Sequence, residues 1–206
     1  MTQADQHMEV ERKFALAAEG AVPDPTDWPG VEAVSAPVRF ELDALYFDTP
    51  DLRLARAGVT LRRRTGGSDD GWHLKIPSDG DGRLEHGLPL DAGQDTPPEE
   101  FVTQVADLTD GEPLQPICRV CTIRVERRLD GATGVLATVC DDTVTTNNLL
   151  DPGLDQAWHE LEVELAGSGS IEFLDAVTER LAGLGIPQVS IASKLRTALT
   201  PPSTGG

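Results

Sequence analysis

The residues that could do chemistry begin close to the amino terminus, in the segment Glu9-Val10-Glu11-Arg12-Lys13. In a β-strand successive side chains point to opposite faces, so Glu9, Glu11 and Lys13 share one face, about 6–7 Å apart from one to the next. Carboxylates bind divalent cations and an ammonium group binds anions. This row is therefore suited to a site that takes a metal ion together with a polyanion.

Further rows of charged side chains recur at alternate positions along the chain: Thr60, Arg62 and Arg64; His73 and Lys75; Arg83 and Glu85; Arg124, Glu126 and Arg128; Glu160, Glu162 and Glu164. The positions between them are mostly apolar. On a single strand a charged face is usually the solvated face of an antiparallel sheet. Over five strands, with acids on the first and last and bases in the middle, the pattern favours a polar lumen that holds a polyanion. The outer apolar face would then be covered by helices.

Eight segments carry strand signals: Glu9–Ala17, Phe40–Phe47, Val59–Thr65, Gly71–Ile76, Arg83–Leu90, Ile117–Leu129, Gly134–Thr145 and Ala157–Leu165. Short turns rich in glycine and aspartate separate several of them, which favours antiparallel hairpins. Closure of the sheet into a barrel would leave no exposed strand edge. The expected fold is therefore mainly β (α+β): a closed eight-stranded antiparallel β-barrel with a few peripheral helices.

Three helices are expected around these strands. Thr96 is predicted to cap a short helix with two prolines in its first turn, and Ser170 a longer helix that ends at Gly185. A third, short helical turn is expected within residues 51–57.

The bulk composition limits the possible partners. The 206 residues are 39% hydrophobic and 25% charged, with a net charge of −18. This charge argues against nucleic acid or an anionic membrane surface as the main partner. The sequence has no apolar run long enough for a transmembrane helix and no signal-peptide pattern. We therefore expect a cytoplasmic monomer or homodimer.

The three cysteines fit the same expectation. Cys118 and Cys121 have the spacing of a redox pair or of half a zinc site, but no second cysteine pair or nearby histidine completes such a site. Together with Cys140 they are interpreted as small strand residues in a reducing compartment.

Taken in order, these motifs resemble the CYTH family, the triphosphate tunnel metalloenzymes. The family hallmark is Glu-x-Glu-x-Lys, here Glu9 to Lys13, and the resemblance extends over about residues 7–200 through the segments 45–50, 58–64, 71–77, 83–85, 123–124, 141–142, 158–164 and 193–195. It implies an eight-stranded barrel around a charged tunnel, formed by one domain of residues 1–200. The tail at 201–206 is expected to be disordered because it is rich in proline, serine and glycine. Many bacterial members carry a further helical C-terminal domain, which we do not expect in this chain.

The resemblance also implies a role for each charged side chain. The acidic residues would hold Mg²⁺ or Mn²⁺: Glu9, Glu11, Glu85, Asp142, Glu160, Glu162 and Glu164. The basic residues would bind the triphosphate: Lys13, Arg62, Arg64, Lys75, Arg83, Arg124 and Lys194. Glu11, Glu162 and Lys13 are the catalytic candidates, with Lys13 assisting the attacking water or only binding phosphate. Which two of the last three glutamates bind metal is left open.

Three functions follow from this resemblance. The first is a metal-dependent triphosphatase that acts on inorganic triphosphate, with thiamine triphosphate and nucleoside triphosphates as other possible substrates. The second is a class IV-type adenylyl cyclase that acts on ATP, although no distinctive purine signature is present. The third is a non-catalytic polyphosphate- or nucleotide-binding module, which would need only the bases and not the complete acidic set. No Gly-x-x-x-x-Gly-Lys loop is present, which excludes a P-loop enzyme.

Overall fold

The computed structural model describes residues 5–18, 20–78, 82–189 and 193–201. Apart from Pro201, the tail predicted at 201–206 lies outside the described residues. Within them, one antiparallel sheet contains eleven strands. They are β1 (Asp5–Glu9), β2 (Glu11–Leu16), β3 (Ala33–Val34), β4 (Val38–Asp48), β5 (Thr60–Thr65), β6 (Gly71–Pro77), β7 (Arg83–Leu88), β8 (Gln115–Gly131), β9 (Gly134–Asn148), β10 (Ala157–Leu165) and β11 (Gln188–Val189).

The hydrogen-bonded order of the strands is β1-β7-β6-β5-β4-β8-β9-β10-β2-β11, and β3 pairs with β8. Strand β1 pairs with β7 near one end of this path, whereas β2 pairs with β10 near the other. Only Val10 separates β1 from β2, so the sheet curls until β1, at one end, and β2, next to the last strand at the other, are one residue apart along the chain. A mainly antiparallel β fold is therefore confirmed.

All eight predicted strand segments form strands, and the observed number of eleven exceeds the predicted eight for two reasons. The first predicted strand changes partner at Val10 and is divided into β1 and β2, and the two-residue strands β3 and β11 add to the sheet. Strand β7 ends at Leu88 and not at Leu90, because Pro89 has no backbone N–H to donate to a neighbouring strand.

The helices of the described residues are short, apart from one: α1 (Arg53–Arg56), α2 (Glu99–Gln104), α3 (Ala106–Thr109), α4 (Ile171–Gly183) and α5 (Lys194–Leu199). Single 3₁₀ turns lie at Pro25–Asp27, Leu90–Ala92 and Pro152–Leu154. Ser170 caps α4 as predicted, since its Oγ accepts a hydrogen bond from the Phe173 N–H at 3.4 Å. The prediction of Thr96 as a cap was wrong. Helix α2 begins after Pro98, because a residue that precedes a proline is held extended.

The apolar outer face of the sheet is covered, as the alternation predicts. Helix α4 packs against Phe14, Leu161 and Val163 on β2 and β10. On the other side of the molecule, Phe101 at the start of α2 packs with Trp72 on β6 and its neighbours. Burial of these apolar faces from water stabilises the curled sheet and leaves the charged rows on its inner face.

Part of the inner face is also apolar, which the sequence did not predict. Tyr46, Val120 and Val144 form a cluster there with Leu195 and Ala198 of α5. Helix α5 thus lies against the inner side of β4, β8 and β9. This position brings Lys194, its first residue, to the charged rows.

Candidate functional site

Most side chains of the charged rows line a cavity of about 360 Å³ on the inner face of the sheet, but Glu126 and Arg128 lie outside it. Of the site residues predicted from the sequence, all line this cavity except Asp142 and Glu160. These two are buried, with exposed fractions of 0% and 6%. The sheet therefore brings the predicted residues together, but the two acids lie behind the cavity wall.

One group of acids and bases centres on Lys75 of β6. Its Nζ lies 2.5 and 2.6 Å from the two carboxylate oxygens of Glu9, and 3.2 Å from Oε2 of Glu85. Glu85 also accepts a hydrogen bond from His73 Nδ1 at 2.7 Å and lies 3.9 Å from Arg62. Burial would raise the pKa of Glu85, but His73, Lys75 and Arg62 outweigh it and hold that pKa well below its ordinary value.

A second group centres on Lys194. Its Nζ lies 2.8 Å from Asp142 and 2.7 Å from both Glu160 and Glu162. These three residues form the acidic triad, whose carboxylate oxygens all lie within 4.8 Å of one another. Arg124 donates a forked pair of hydrogen bonds to the Asp142 carboxylate, at 2.8 and 2.7 Å, and a further hydrogen bond to Glu162 at 2.6 Å. The lysine ammonium thus stands where the triad could otherwise hold a metal ion.

Lys13 connects the triad to the first strand motif. Its ammonium contacts Glu162 and lies 3.1 Å from Glu11. Burial would lower the pKa of Lys13, but the carboxylates of Glu11, Glu162 and Glu160 raise it well above the ordinary value. Lys13 is therefore held as a cation.

Glu11 and Glu164 are opposite one another on β2 and β10, and we call them the glutamate pair. Burial raises the pKa of Glu164 to about 7, and the charges of Glu9 and Glu11 add to this effect. The pKa of Glu11 is also raised, by burial and by Glu162 and Glu9, despite the neighbouring Lys13. Burial together with repulsion among the acids thus outweighs the countercharge at the pair, whereas Lys13, Lys194 and Arg124 lower the pKa of Glu162 despite its burial.

The arginines of β5 present donors that the protein does not fully use. Among the described residues, the buried Nε groups of Arg62 and Arg64 have no hydrogen-bond partner. Nη1 of Arg62 lies 3.5 Å from the Tyr46 hydroxyl, and the guanidinium of Arg64 contacts Asp69. On β7, Arg83 donates to the Gly58 carbonyl at 2.7 Å. Buried donors without partners are uncommon, and an anion in the cavity would satisfy those of β5.

Several cavity residues were not predicted as site residues. Leu42, Ala44 and Tyr46 alternate along β4 and form an apolar wall with Val120. Their alternation in the sequence is the signal that could have identified them. Asp69 gave no such signal, because it lies in a turn where side-chain direction follows no fixed period.

Comparison with known proteins agrees with this architecture. The family model of the CYTH domain matches residues 7–198. Two uncharacterised proteins, from two strains of Mycobacterium tuberculosis, are 40% identical over 219 residues. The match covers 97% of this chain and 42% of each relative, so the chain spans about two fifths of their length.

Solved structures share the fold at lower sequence identity. A candidate adenylate cyclase from Bacillus halodurans has a TM-score of 0.61 and 22% identity, over 95% of this chain and 99% of that one. The PH1819 protein from Pyrococcus horikoshii has a TM-score of 0.52 and 18% identity, over 93% of this chain and 98% of that one.

Among the described residues of this chain, none of the helices is long and apolar enough to cross a membrane.

Proposed function

This chain belongs to the CYTH family, and from that membership we propose that it is a metal-dependent hydrolase of a triphosphate, with inorganic triphosphate as the first candidate substrate. The observation that carries the proposal is the pair of inward-facing arginines, Arg62 and Arg64, whose buried Nε groups lack partners among the described residues. A triphosphate, with roughly four negative charges and many acceptor oxygens, matches these donors. Catalysis of phosphoryl transfer rests mainly on such positioning and charge stabilisation.

We further propose that the strands close into an eight-stranded barrel around a tunnel. The backbone of Val10 supports this, because its carbonyl accepts a hydrogen bond from the Leu165 N–H at 2.9 Å. Strands β1 and β2 then act as one strand that is paired to β7 at one end and to β10 at the other.

The glutamate pair, together with Glu9, is the proposed site for Mg²⁺ or Mn²⁺. Oxygen donors suit these ions, and the raised pKa values of Glu11 and Glu164 indicate that burial and the neighbouring acids outweigh Lys13 and Lys75 at these two carboxylates. Glu9 would join them by exchanging its contact with Lys75 for the ion. A divalent ion there would neutralise phosphoryl oxygens and orient the substrate. Asp142, Glu160 and Glu162 already have Lys194 at their centre, so we assign them the role of holding that lysine and Lys13.

The basic side chains are the proposed substrate contacts. Arg62, Arg64 and Lys75 face the cavity from neighbouring strands, and Arg124, Arg83 and Lys194 line it as well. The raised pKa of Lys13 keeps its proton in place. Lys13 would therefore donate to a phosphate oxygen and would be a poor base for the attacking water.

One observation favours a second candidate function. The apolar wall of Leu42, Ala44 and Val120 lies beside the charged rows, and inorganic triphosphate has no group to place against it. A nucleoside or thiamine triphosphate does, which supports an organic triphosphatase or an adenylyl cyclase as the alternative. A binding module without turnover is a third outcome for the same site.

A cytoplasmic location and a monomer or homodimer complete the proposal. Cys118, Cys121 and Cys140 are all free thiols, which agrees with a reducing compartment. The net charge of −18 disfavours nucleic acid as a partner.

Turnover assays separate these functions. The purified protein is incubated with inorganic triphosphate, thiamine triphosphate or ATP, with Mg²⁺ or Mn²⁺ present. Released phosphate identifies a hydrolase, cyclic AMP with pyrophosphate a cyclase, and binding without turnover a module. Glu11→Gln should abolish turnover with the fold intact, whereas Glu41→Gln, at an exposed position on β4, should not. Full activity in excess chelator would refute the role of the metal.

A further inference from the structure

The turn between β5 and β6 places an acid against one of the cavity arginines. The carboxylate of Asp69 contacts the guanidinium of Arg64. The Arg64 side chain is 9% exposed and that of Asp69 is 52% exposed, so the acid approaches from the solvent side. Asp69 itself lines the cavity. A negative charge of the protein thus occupies one of the groups that an incoming anion would contact.

The path of this turn is fixed by its backbone. Gly66 has a φ of +93°, and a Cβ there would meet the Glu41 carbonyl oxygen, so the turn requires glycine. Asp70 accepts a hydrogen bond from the Gly67 N–H at 2.8 Å. The turn is therefore held independently of the contact between the Asp69 carboxylate and Arg64.

Arg64 is short of negative charge even with Asp69 beside it. Burial and the neighbouring Arg62 and Arg124 lower its pKa to about 9. Its Nε is buried and has no hydrogen-bond partner among the described residues. Whichever anion reaches this arginine, from the protein or from solution, therefore relieves a crowded cation.

We propose that Asp69 determines which anions the site retains, because its carboxylate occupies the place on Arg64 that a phosphoryl group of the substrate takes. This inference rests on the proposed function. An anion that reaches Arg64 must displace Asp69, so a ligand with few other contacts is held weakly. A triphosphate also contacts Arg62 and Lys75 and stays bound, whereas orthophosphate is released when Asp69 returns to Arg64.

A competing acid and a merely structural acid predict opposite results. If Asp69 only held the hairpin, its loss would loosen the site and weaken binding. If it competes with the ligand, its neutralisation strengthens binding. The sign of the change in Kd therefore separates the two roles.

The experiment measures the Kd of inorganic triphosphate and of orthophosphate by titration calorimetry in chelator, where no metal-dependent turnover occurs. Asp69→Asn is compared with Asp70→Asn, which removes the same charge from the same turn and keeps an oxygen that accepts from Gly67. Asp69→Asn should lower the Kd of triphosphate and of orthophosphate roughly tenfold, the usual scale for a hydrogen bond to a charged group, and an unchanged Kd of orthophosphate would contradict the role of Asp69 in its release. Asp70→Asn should change it less than about twofold, because Asp70, although it also lines the cavity, is exposed and accepts from Gly67, whereas Asp69 is the acid that contacts Arg64.

A second pair of variants tests whether the effect of Asp69 depends on Arg64. In Arg64→Gln, the further change Asp69→Asn should leave the Kd of triphosphate unaltered, because the competition no longer exists. An unchanged or higher Kd in Asp69→Asn alone overturns this inference and leaves the proposed function standing. An equal fall in Asp69→Asn and Asp70→Asn also overturns it, since that is a general charge effect. Absence of triphosphate binding by the unmodified protein, both in chelator and with Ca²⁺ in place of Mg²⁺, overturns the proposed function, and this inference with it.

Discussion

Replacing Glu164 with glutamine should stabilise the metal-free protein at about pH 8, although it removes a partly buried charge. Burial and the neighbouring Glu9 and Glu11 raise the pKa of Glu164 from 4.5 to about 7. Between these two values the unfolded chain has released the proton and the folded chain still holds it. Stability therefore falls as the pH rises through this window, and the penalty is complete above about pH 7.

The size of the effect follows from the same two values. Each factor of ten in proton affinity is worth about 1.4 kcal/mol, so the shift from 4.5 to about 7 sets an upper limit of about 3 kcal/mol. Because the side chain is only partly buried, we expect a gain of about 1–2 kcal/mol for Glu164→Gln. In a domain of this length that raises Tm by roughly 2–8 °C.

The matched control lies two residues earlier on the same strand. Lys13, Lys194 and Arg124 outweigh the burial of Glu162 and lower its pKa. Glu162→Gln leaves these buried cations with less countercharge, which should cost about 3–5 kcal/mol. The two glutamine variants should thus shift stability in opposite directions.

Urea unfolding in chelator at about pH 5 and pH 8 tests both variants. Glu164→Gln should gain stability at pH 8 and little at pH 5, where the folded wild-type protein still holds the proton. Added Mg²⁺ should stabilise the wild-type protein and not this variant. A loss of stability at pH 8, or the same gain at both pH values, would refute the description of the glutamate pair as a place where burial and the neighbouring acids outweigh the countercharge.

Two further substitutions test the positions of Lys194 and Asp48. Lys194→Met should destabilise the protein by about 3–5 kcal/mol in urea unfolding, because the acidic triad loses its central cation. Arg196→Gln, at an exposed position on α5, should change the free energy of unfolding by less than about 0.5 kcal/mol. Equal effects of the two substitutions would contradict the position of Lys194 within the triad. Asp48→Ala should cost about 3 kcal/mol or more, because the buried Asp48 carboxylate accepts from the N–H groups of Thr49, Leu54 and Ala55 at 2.7, 2.9 and 2.9 Å. Since Asp48 lies outside the cavity, an altered Kd of inorganic triphosphate without loss of stability would argue against this structural role.

The strands could be predicted from the sequence because the alternation of charged and apolar residues is itself a strand period. Rows such as Arg62 and Arg64 share a face whatever the strand pairs with. The break at Val10 could not be predicted in this way, because it arises from a change of pairing partner between β7 and β10. Helix α5 was missed because its six residues are too few for a helical period to be recognised.

The same distinction applies to the site. Whether a residue lines the cavity follows from the strand face that it occupies, and most of the predicted residues lie on the inner face. The arrangement of charges within the cavity depends on pairing between strands and on α5. For this reason the sequence left Glu160, Glu162 and Glu164 equivalent, whereas Lys194 and Lys13 make their environments different.

The change of pairing partner at Val10, the single residue between β1 and β2, affects the order in which contacts form during folding. Glu11 and Lys13 reach Glu164 and Glu162 only when β2 pairs with β10, about 150 residues later in the chain, and Lys194 lies further along still. Contacts so distant in sequence form late, because the intervening chain must be ordered first. During synthesis the arginines of β5 and the lysine of β6 would emerge well before the acids of β10 and Lys194. The nascent chain would therefore present these basic side chains to solvent before the cavity that encloses them can form.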